Sequence, residues 1–339
     1  MMTDGRSVGS MTTKERVLAL LEAHRGEHFS GAQLAASLGV SRNAVWKAVT
    51  ELRAAGCRID AATNRGYCYA AENDLLSVQG ILPLLSETAR PLAAHLQVFP
   101  ELASTNQTAK ELALAGAAHG TAVIAERQTQ GRGRYMRSFC SPPGGLYISM
   151  ILHPDRLNFA HITTVTALAG AAVCEAVEAV SGKKPGIKWV NDVFLDGKKI
   201  CGILTEAVTD IESGTLGWLV LGIGINVTTR TEDFPPDLRE IAGSVFGEDV
   251  PGSRNRLAAE LLNRIPGCVP APAEAEVIGR YRSRLMMLGR QVTVVQSDGT
   301  EYSAAALDID EAGHLIVETA AGERRVLSSG EIRIRMQES

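Results

Sequence analysis

Residues 188–204 read Lys188-Trp189-Val190-Asn191-Asp192-Val-Phe-Leu-Asp196-Gly197-Lys198-Lys199-Ile-Cys-Gly202-Ile-Leu. Asp-Gly between apolar runs is a strong hairpin signal, because both residues tolerate the positive φ that a two-residue turn demands. The stretch therefore predicts two antiparallel strands meeting at Asp196-Gly197, with Asp192 on one arm and Lys199 on the other, close enough to face one another. A carboxylate beside an ammonium, on a strand that runs on into apolar residues, points to a polar site let into a sheet. Taken singly, each charge reads as structural.

Further strand-like runs lie on both sides of this hairpin: LQVFP, TAVIAE and LYISMIL before it, ICGILTEAV and GWLVLGIGINV after. They alternate with helical stretches, above all the Ala-rich apolar segment 160–180, so the middle of the chain is expected to be α+β with an extensive sheet. No GxxxxGK[ST] occurs, and Gly222-Ile-Gly224-Ile-Asn226 lacks the third glycine of a dinucleotide fingerprint. A nucleotide, if bound, is bound by other means.

Two further segments carry chemistry. Gln128-Thr-Gln-Gly131-Arg132-Gly133-Arg134-Tyr135-Met136-Arg137 is a polar loop between strands in which arginines alternate with glycines. Glycine lets backbone N–H groups approach an anion, and each guanidinium offers a fixed fork of donors to carboxylate or phosphate. Like charges repel and glycines cost ordering entropy, so such a loop should order around an anionic ligand. The plain alternative is a solvated basic hairpin tip. Ser104-Thr105-Asn106, before QTAKELALAG, reads as a helix N-terminus whose free N–H groups favour an anion or a polar ring, although as a cap alone it is ordinary.

Toward the N-terminus, Thr12/Glu15 and Ser30/Gln33 stand at capping-box spacing ahead of two helices, the second stopped by Gly39. After a short turn, a third helix buries Val45, Val49 and Leu52 and turns Arg42, Asn43, Trp46, Lys47, Thr50 and Arg53 outward. This is the helix-turn-helix pattern, whose last helix can enter the major groove and use Arg and Asn on base edges. CRIDAATNRGYCYA then supplies a wing whose Arg65 could reach phosphate or minor groove. A small helical module with a solvated charged face is the bland alternative. After Leu288, short alternating strands separated by Asp-Gly and Ala-Gly turns read as a small β-barrel, most plainly a stabilising cap.

Composition agrees. The 339 residues are 45% apolar and 21% charged, enough for about two ordinary domains and too apolar for disorder. Net charge is −4, but residues 1–70 hold nine Lys/Arg against six Asp/Glu, so a basic module of +3 precedes an acidic body of about −7. The six cysteines show no CxxC spacing and the seven histidines no HExxH motif, which leaves reduced, packed thiols. The apolar runs fall short of the roughly 18 residues of a membrane helix and no apolar signal core precedes them, so a cytoplasmic protein without membrane contact is expected.

In this order, the winged helix, STN at 104–106, GRGR at 131–134, KWVND at 188–192, KKICGIL at 198–204 and GIGIN at 222–226 resemble the bifunctional biotin protein ligases that also repress the biotin operon. The resemblance covers nearly the whole chain. It implies a winged helix-turn-helix DNA-binding domain at 1–72, a biotin/ATP-binding catalytic domain at 73–288 with a mixed sheet resembling class II aminoacyl-tRNA synthetases, and an SH3-like β-barrel at 289–339. The implied activity is adenylation of biotin by ATP with Mg²⁺, then transfer from biotinyl-5′-AMP to a lysine of the biotin carboxyl carrier protein of acetyl-CoA carboxylase. Biotinyl-AMP would also be corepressor for a homodimer on operator DNA.

By the same resemblance, Ser104, Thr105 and Gln128 would contact the ureido ring or its neighbours, with Asn106, Gly131 and Gly133 in the same substrate set. Arg132 and Arg134 would hold the biotin carboxylate and the ATP phosphates, Lys199 would bridge carboxylate and adenylate, and Asp192 would act beside the phosphoryl group or the incoming amine. Gly202, Gly224 and Asn226 would line the pocket, with Arg335 and Glu331 of the last strand against it; the metal ligands stay unassigned. The chain departs from the family at Tyr135-Met136, where a further Arg-Gly pair is usual, and at Val190, where proline is usual. Two rivals remain: a lipoate or octanoate ligase, and a ligand-sensing transcription factor without turnover, for which the Asp192/Lys199 pair would have no use.

Overall fold

The computed structural model describes residues 11–62, 65–157, 162–209, 216–265, 273–296, 299–328 and 330–334. Its first module runs α1 (Thr13–Ala23), β1 (His28–Phe29), α2 (Gly31–Leu38), α3 (Arg42–Ala54), β2 (Ile59–Ala62) and β3 (Gly66–Tyr69). Both capping boxes form: the Thr12 hydroxyl accepts from Glu15 N–H while the Glu15 carboxylate accepts from Thr12 N–H, and Ser30 and Gln33 do the same. Gly39 ends α2 at φ 62°. Val17, Leu21, Leu34, Val45, Val49 and Leu52 form the core, closed by a three-stranded sheet in the order β1-β3-β2. That sheet is the wing.

The chain between this module and the next is pinned rather than loose. Asn255 accepts from Ser77 N–H at 3.1 Å and donates to Leu75 O at 2.8 Å, while Arg254 pairs with Asp74 at 2.5 Å. Both partners lie on α8 (Ser253–Arg264). A short α4 (Val78–Ile81) leads into β4 (Leu96–Phe99), α5 (Thr105–Leu114), β5 (Ala122–Ala125), β6 (Gly145–Leu152), α6 (Pro154–Leu157) and α7 (Ile162–Ser181). Then come β7 (Gly186–Lys188), β8 (Asp192–Leu195), β9 (Lys198–Thr209) and β10 (Leu216–Asn226).

These strands make one mixed sheet in the order β4-β5-β6-β10-β9-β8-β7; β4 and β5 are parallel and the other neighbours antiparallel. The crossover between the parallel pair carries α5, as parallel strands require. Successive strand residues bury on opposite faces. Val123, Ile151 and Val220 pack under Ala109 and Ala113 of α5, whereas Ile124, Met150 and Leu221 join the larger core with α7, α8 and α9 (Glu274–Arg282). The sheet is therefore covered on both sides.

Among the described residues one helix, Ile162–Ser181, is long and apolar enough to cross a membrane, against the expectation that every apolar run falls short of that length. Alanines and a few polar residues dilute its pattern, yet Leu168, Val173 and Val177 are fully buried within this core, which accounts for its composition.

The last strands are β11 (Gln291–Val295), β12 (Glu301–Ile309), β13 (Leu315–Thr319), β14 (Arg324–Leu327) and β15 (Glu331–Ile334), antiparallel in the order β14-β13-β12-β11-β15. Val292, Val294 and Val317 belong to the same core as the central sheet, and the Trp189 indole donates to Gly313 O at 3.0 Å. The expected cap is thus fused to the domain it covers.

Candidate active site

A cavity opens where the N-terminus of α5, the loop after β5, the β7–β8 turn and the middles of β9 and β10 converge. Ser104 caps α5, its hydroxyl accepting from Gln107 N–H, and this cap turns Thr105 and Asn106 inward to near-complete burial. Gln128 accepts from Thr105 N–H at 2.8 Å and hydroxyl at 3.1 Å, and donates to Ser141 Oγ at 3.0 Å. The wall is a row of polar atoms in a buried setting.

The Gly/Arg loop folds back over this wall. Phe139 N–H donates to Gly131 O and Gly133 N–H to Arg137 O, both at 2.8 Å. Gly131 is required by space, since a Cβ there would stand 2.4 Å from Phe139 O. Arg132 is exposed. Arg134 is half-buried, with Nη1 donating to Asn191 Oδ1 at 3.3 Å and Nη2 to Tyr135 Oη at 3.2 Å, its guanidinium 5.0 Å from the centre of the Tyr135 ring. Tyr135 takes φ 55°, the left-handed region that glycine adopts at less cost.

On the opposite side Asp196 and Gly197 take φ 51° and 78°, the turn expected of Asp-Gly. Lys199 pairs with Phe194 and Asp192 with Gly202, because a register shift intervenes, so the two charges are not directly cross-strand. Their side chains still meet, Nζ to Oδ1 2.6 Å, both partly exposed rather than buried. Apart from this ion pair, that Oδ1 has no hydrogen-bond donor among the described residues. The Trp189–Val190 peptide beside them is cis.

Lys199 and Asp192 also line a second cavity, which shares Phe139 with the first and is bounded by Asn226, Phe234 and Ala242. Asn226 is buried, its amide nitrogen donating to Gly243 O at 2.9 Å and its Oδ1 left without a partner among the described residues. Gly202 and Gly224 lie under the Phe139 ring, where a Cβ would come within 2.8 and 2.5 Å of ring carbons. The ring separates the two cavities and the ion pair joins them.

Sequence reasoning missed Ser149, Ser141, Phe139 and Glu206. Ser149 and Glu206 sit in strands read only as apolar runs, and a polar residue inside each run was the available signal. Arg335 lies outside the described residues, as does the Glu331 side chain, although Gly330 and Ile332 beside them reach the first cavity. In the first module Arg42, Asn43, Trp46, Lys47 and Arg65 are all exposed. Arg53, expected on the same face, is exposed as well, and its long side chain also reaches the adjacent wing strand to donate to Ile59 O at 2.8 Å.

The model of the Biotin/lipoate A/B protein ligase family matches residues 98–226, that of an HTH domain residues 13–68, and that of the biotin protein ligase C-terminal domain residues 287–335. The bifunctional ligase/repressor BirA of Bacillus subtilis (strain 168) is 33% identical over 94% of this chain and 98% of its own. For BirA of Escherichia coli (strain K12) the figures are 31%, 96% and 98%. A solved biotin protein ligase from Aquifex aeolicus, in complex with biotin and ATP, aligns with a TM-score of 0.60 at 29% identity, covering 72% of this chain and 99% of that one. Similarity that extends over the winged helix, the two-cavity sheet and the fused last domain, and over nearly the full length of the relatives, places this chain in the family of bifunctional biotin protein ligases and repressors.

Proposed function

We propose that the chain adenylates biotin with ATP, transfers the biotinyl group to a lysine of the biotin carboxyl carrier protein of acetyl-CoA carboxylase, and represses biotin genes with biotinyl-AMP as corepressor. The observation that carries the enzymatic half is the Lys199–Asp192 pair at the junction of two cavities, one with a polar wall and one ending at an orphaned amide oxygen. The polar wall of Ser104, Thr105 and Gln128 suits a ureido ring. The buried Asn226 Oδ1 needs a donor, and the exocyclic amine of adenine is one.

A carboxylate is inert to an amine because oxide is a poor leaving group. In the first step a biotin carboxylate oxygen bonds to the α-phosphorus of ATP, the bond from that phosphorus to the bridging oxygen breaks, and pyrophosphate leaves. Negative charge accumulates on the α-phosphate, where Lys199, Arg132 and Arg134 stabilise it. In the second step the lysine ε-amine attacks the acyl carbon, AMP departs, and Asp192 is the carboxylate placed to take the amine's proton. Asp192, at the junction of the cavities, is the carboxylate that would hold Mg²⁺, and the ion would supply charge stabilisation to the ATP phosphates.

For the repressor half, α3 presents Arg42, Asn43, Trp46 and Lys47 to the major groove of an operator, with Arg65 on the wing beside it and a homodimer matching two half-sites. Domain limits at 72/73 and 288/289 and a cytoplasmic location belong to the same reading. A lipoate or octanoate ligase would leave the polar row without partners. Exchange of labelled pyrophosphate into ATP tests the choice: it should depend on biotin, and exchange driven by lipoate or octanoate instead would overturn it.

A further inference from the structure

Behind the polar wall, outside the cavity, Glu206 of β9 accepts from the Asn106 amide nitrogen at 2.7 Å and from Lys110 Nζ at 2.5 Å. Lys110 stands one turn along α5 from Asn106, so both reach the sheet together. Ser149, fully buried on β6, has its hydroxyl 2.6 Å from Asn106 Oδ1 and 2.7 Å from Thr105 Oγ1. Gly222, cross-strand from Ser149, makes room for this approach, since a Cβ there would stand 2.0 Å from Asn106 Oδ1. Neither Glu206 nor Lys110 has a part in the chemistry above.

The protons of this row can be counted. A carboxylate only accepts, so Glu206 must face the Asn106 NH₂, which turns Asn106 Oδ1 toward Ser149. An amide oxygen also only accepts, so it claims the single Ser149 proton. The short Ser149–Thr105 contact must then be carried by the Thr105 proton, or that proton goes to Gln128 Oε1 at 3.1 Å. In either arrangement it points into the protein, and Thr105 meets the cavity as an acceptor.

We propose that Glu206, held by Lys110, is a positioning residue that polarises the row Asn106–Ser149–Thr105, so that the wall presents an acceptor to a ring N–H of the substrate. The inference rests on the biotin reading, since a ureido ring supplies such an N–H. In Glu206→Gln the carboxamide places its oxygen on Lys110 and its NH₂ on Asn106. Asn106 then reverses, Ser149 donates to Thr105, and one lone pair of Thr105 is lost to the ligand.

The test is biotin-dependent pyrophosphate exchange by the full chain. Glu206→Gln is expected to raise the KM for biotin about tenfold or more, with kcat and the KM for ATP changed less than about twofold. Lys110→Met, which keeps the carboxylate but frees it to rotate, should raise the biotin KM about threefold and covers the case that Glu206→Gln does not fold. An unchanged biotin KM in both variants, or equal falls in kcat and ATP affinity, overturns the positioning role alone. Wild-type protein without biotin-dependent exchange overturns the functional reading and this proposal together.

Discussion

Lys199 and Arg134 stand for two ways in which one side chain acts here, by its charge and by how firmly it is held. Lys199→Ala removes the ammonium from the junction of the cavities and should slow biotinyl-AMP formation by on the order of 10², with unfolding unchanged, as a quenched time course would show. Near-normal turnover would reduce Lys199 to a hairpin charge. Arg134 leans on Tyr135, where the family usually has arginine, so the departure supplies a ring and an acceptor in place of a repelling cation. Tyr135→Phe removes the acceptor and should speed release of biotinyl-AMP about fivefold; an unchanged release rate in a filter assay would contradict that. Ser104, Thr105 and Asn106 were legible because a cap is a local pattern. Glu206 was not: it meets Asn106 across 100 residues of chain, a pairing that only the assembled sheet decides.

Among elements, the capped helices, the Asp-Gly turn and the alternating strands were readable because each depends on neighbours within a few residues. The register of β8 on β9 and the burial of α7 were not, since both depend on which elements pack across them. The attachment of the winged helix belongs to this scale as well. Asp74 before α4 is clamped by Arg254 of α8, with Glu126 nearby and accepting from Leu76 N–H at 3.2 Å. Burial pushes the Asp74 and Glu126 carboxyls above their ordinary range, and Arg254 pulls both back. A carboxyl raised in the folded state contributes stability that is complete below its unfolded pKa and is lost as pH rises through the folded one. Arg254→Ala leaves Asp74 buried without its partner, at a cost of about 3 kcal/mol near neutrality. Because the raised carboxyl ionises as pH rises, the loss should be larger at about pH 8 than at about pH 5. Urea midpoints at the two values would check it; a loss equal at both, or larger in acid, would count against the clamp.

In the whole molecule, the pinned segment before α4 joins the central sheet to the helix-turn-helix module. If the adenylate orders the Gly/Arg loop and that loop completes a dimer surface, any ligand preferring the dimer must strengthen operator binding by linkage. Sedimentation and footprinting with and without biotinyl-AMP should show assembly and a two-fold footprint at lower protein concentration when it is present. Ligand-independent assembly would remove the regulatory half and leave the enzyme untouched. The most direct measurement is the mass spectrum of a biotin carboxyl carrier domain after incubation with the protein, biotin, ATP and Mg²⁺, beside the same mixture with Lys199→Ala. One biotinyl group on one carrier lysine is expected with the wild-type protein and almost none with the variant; a carrier left unmodified by the wild-type protein would rule out biotin transfer by this cavity.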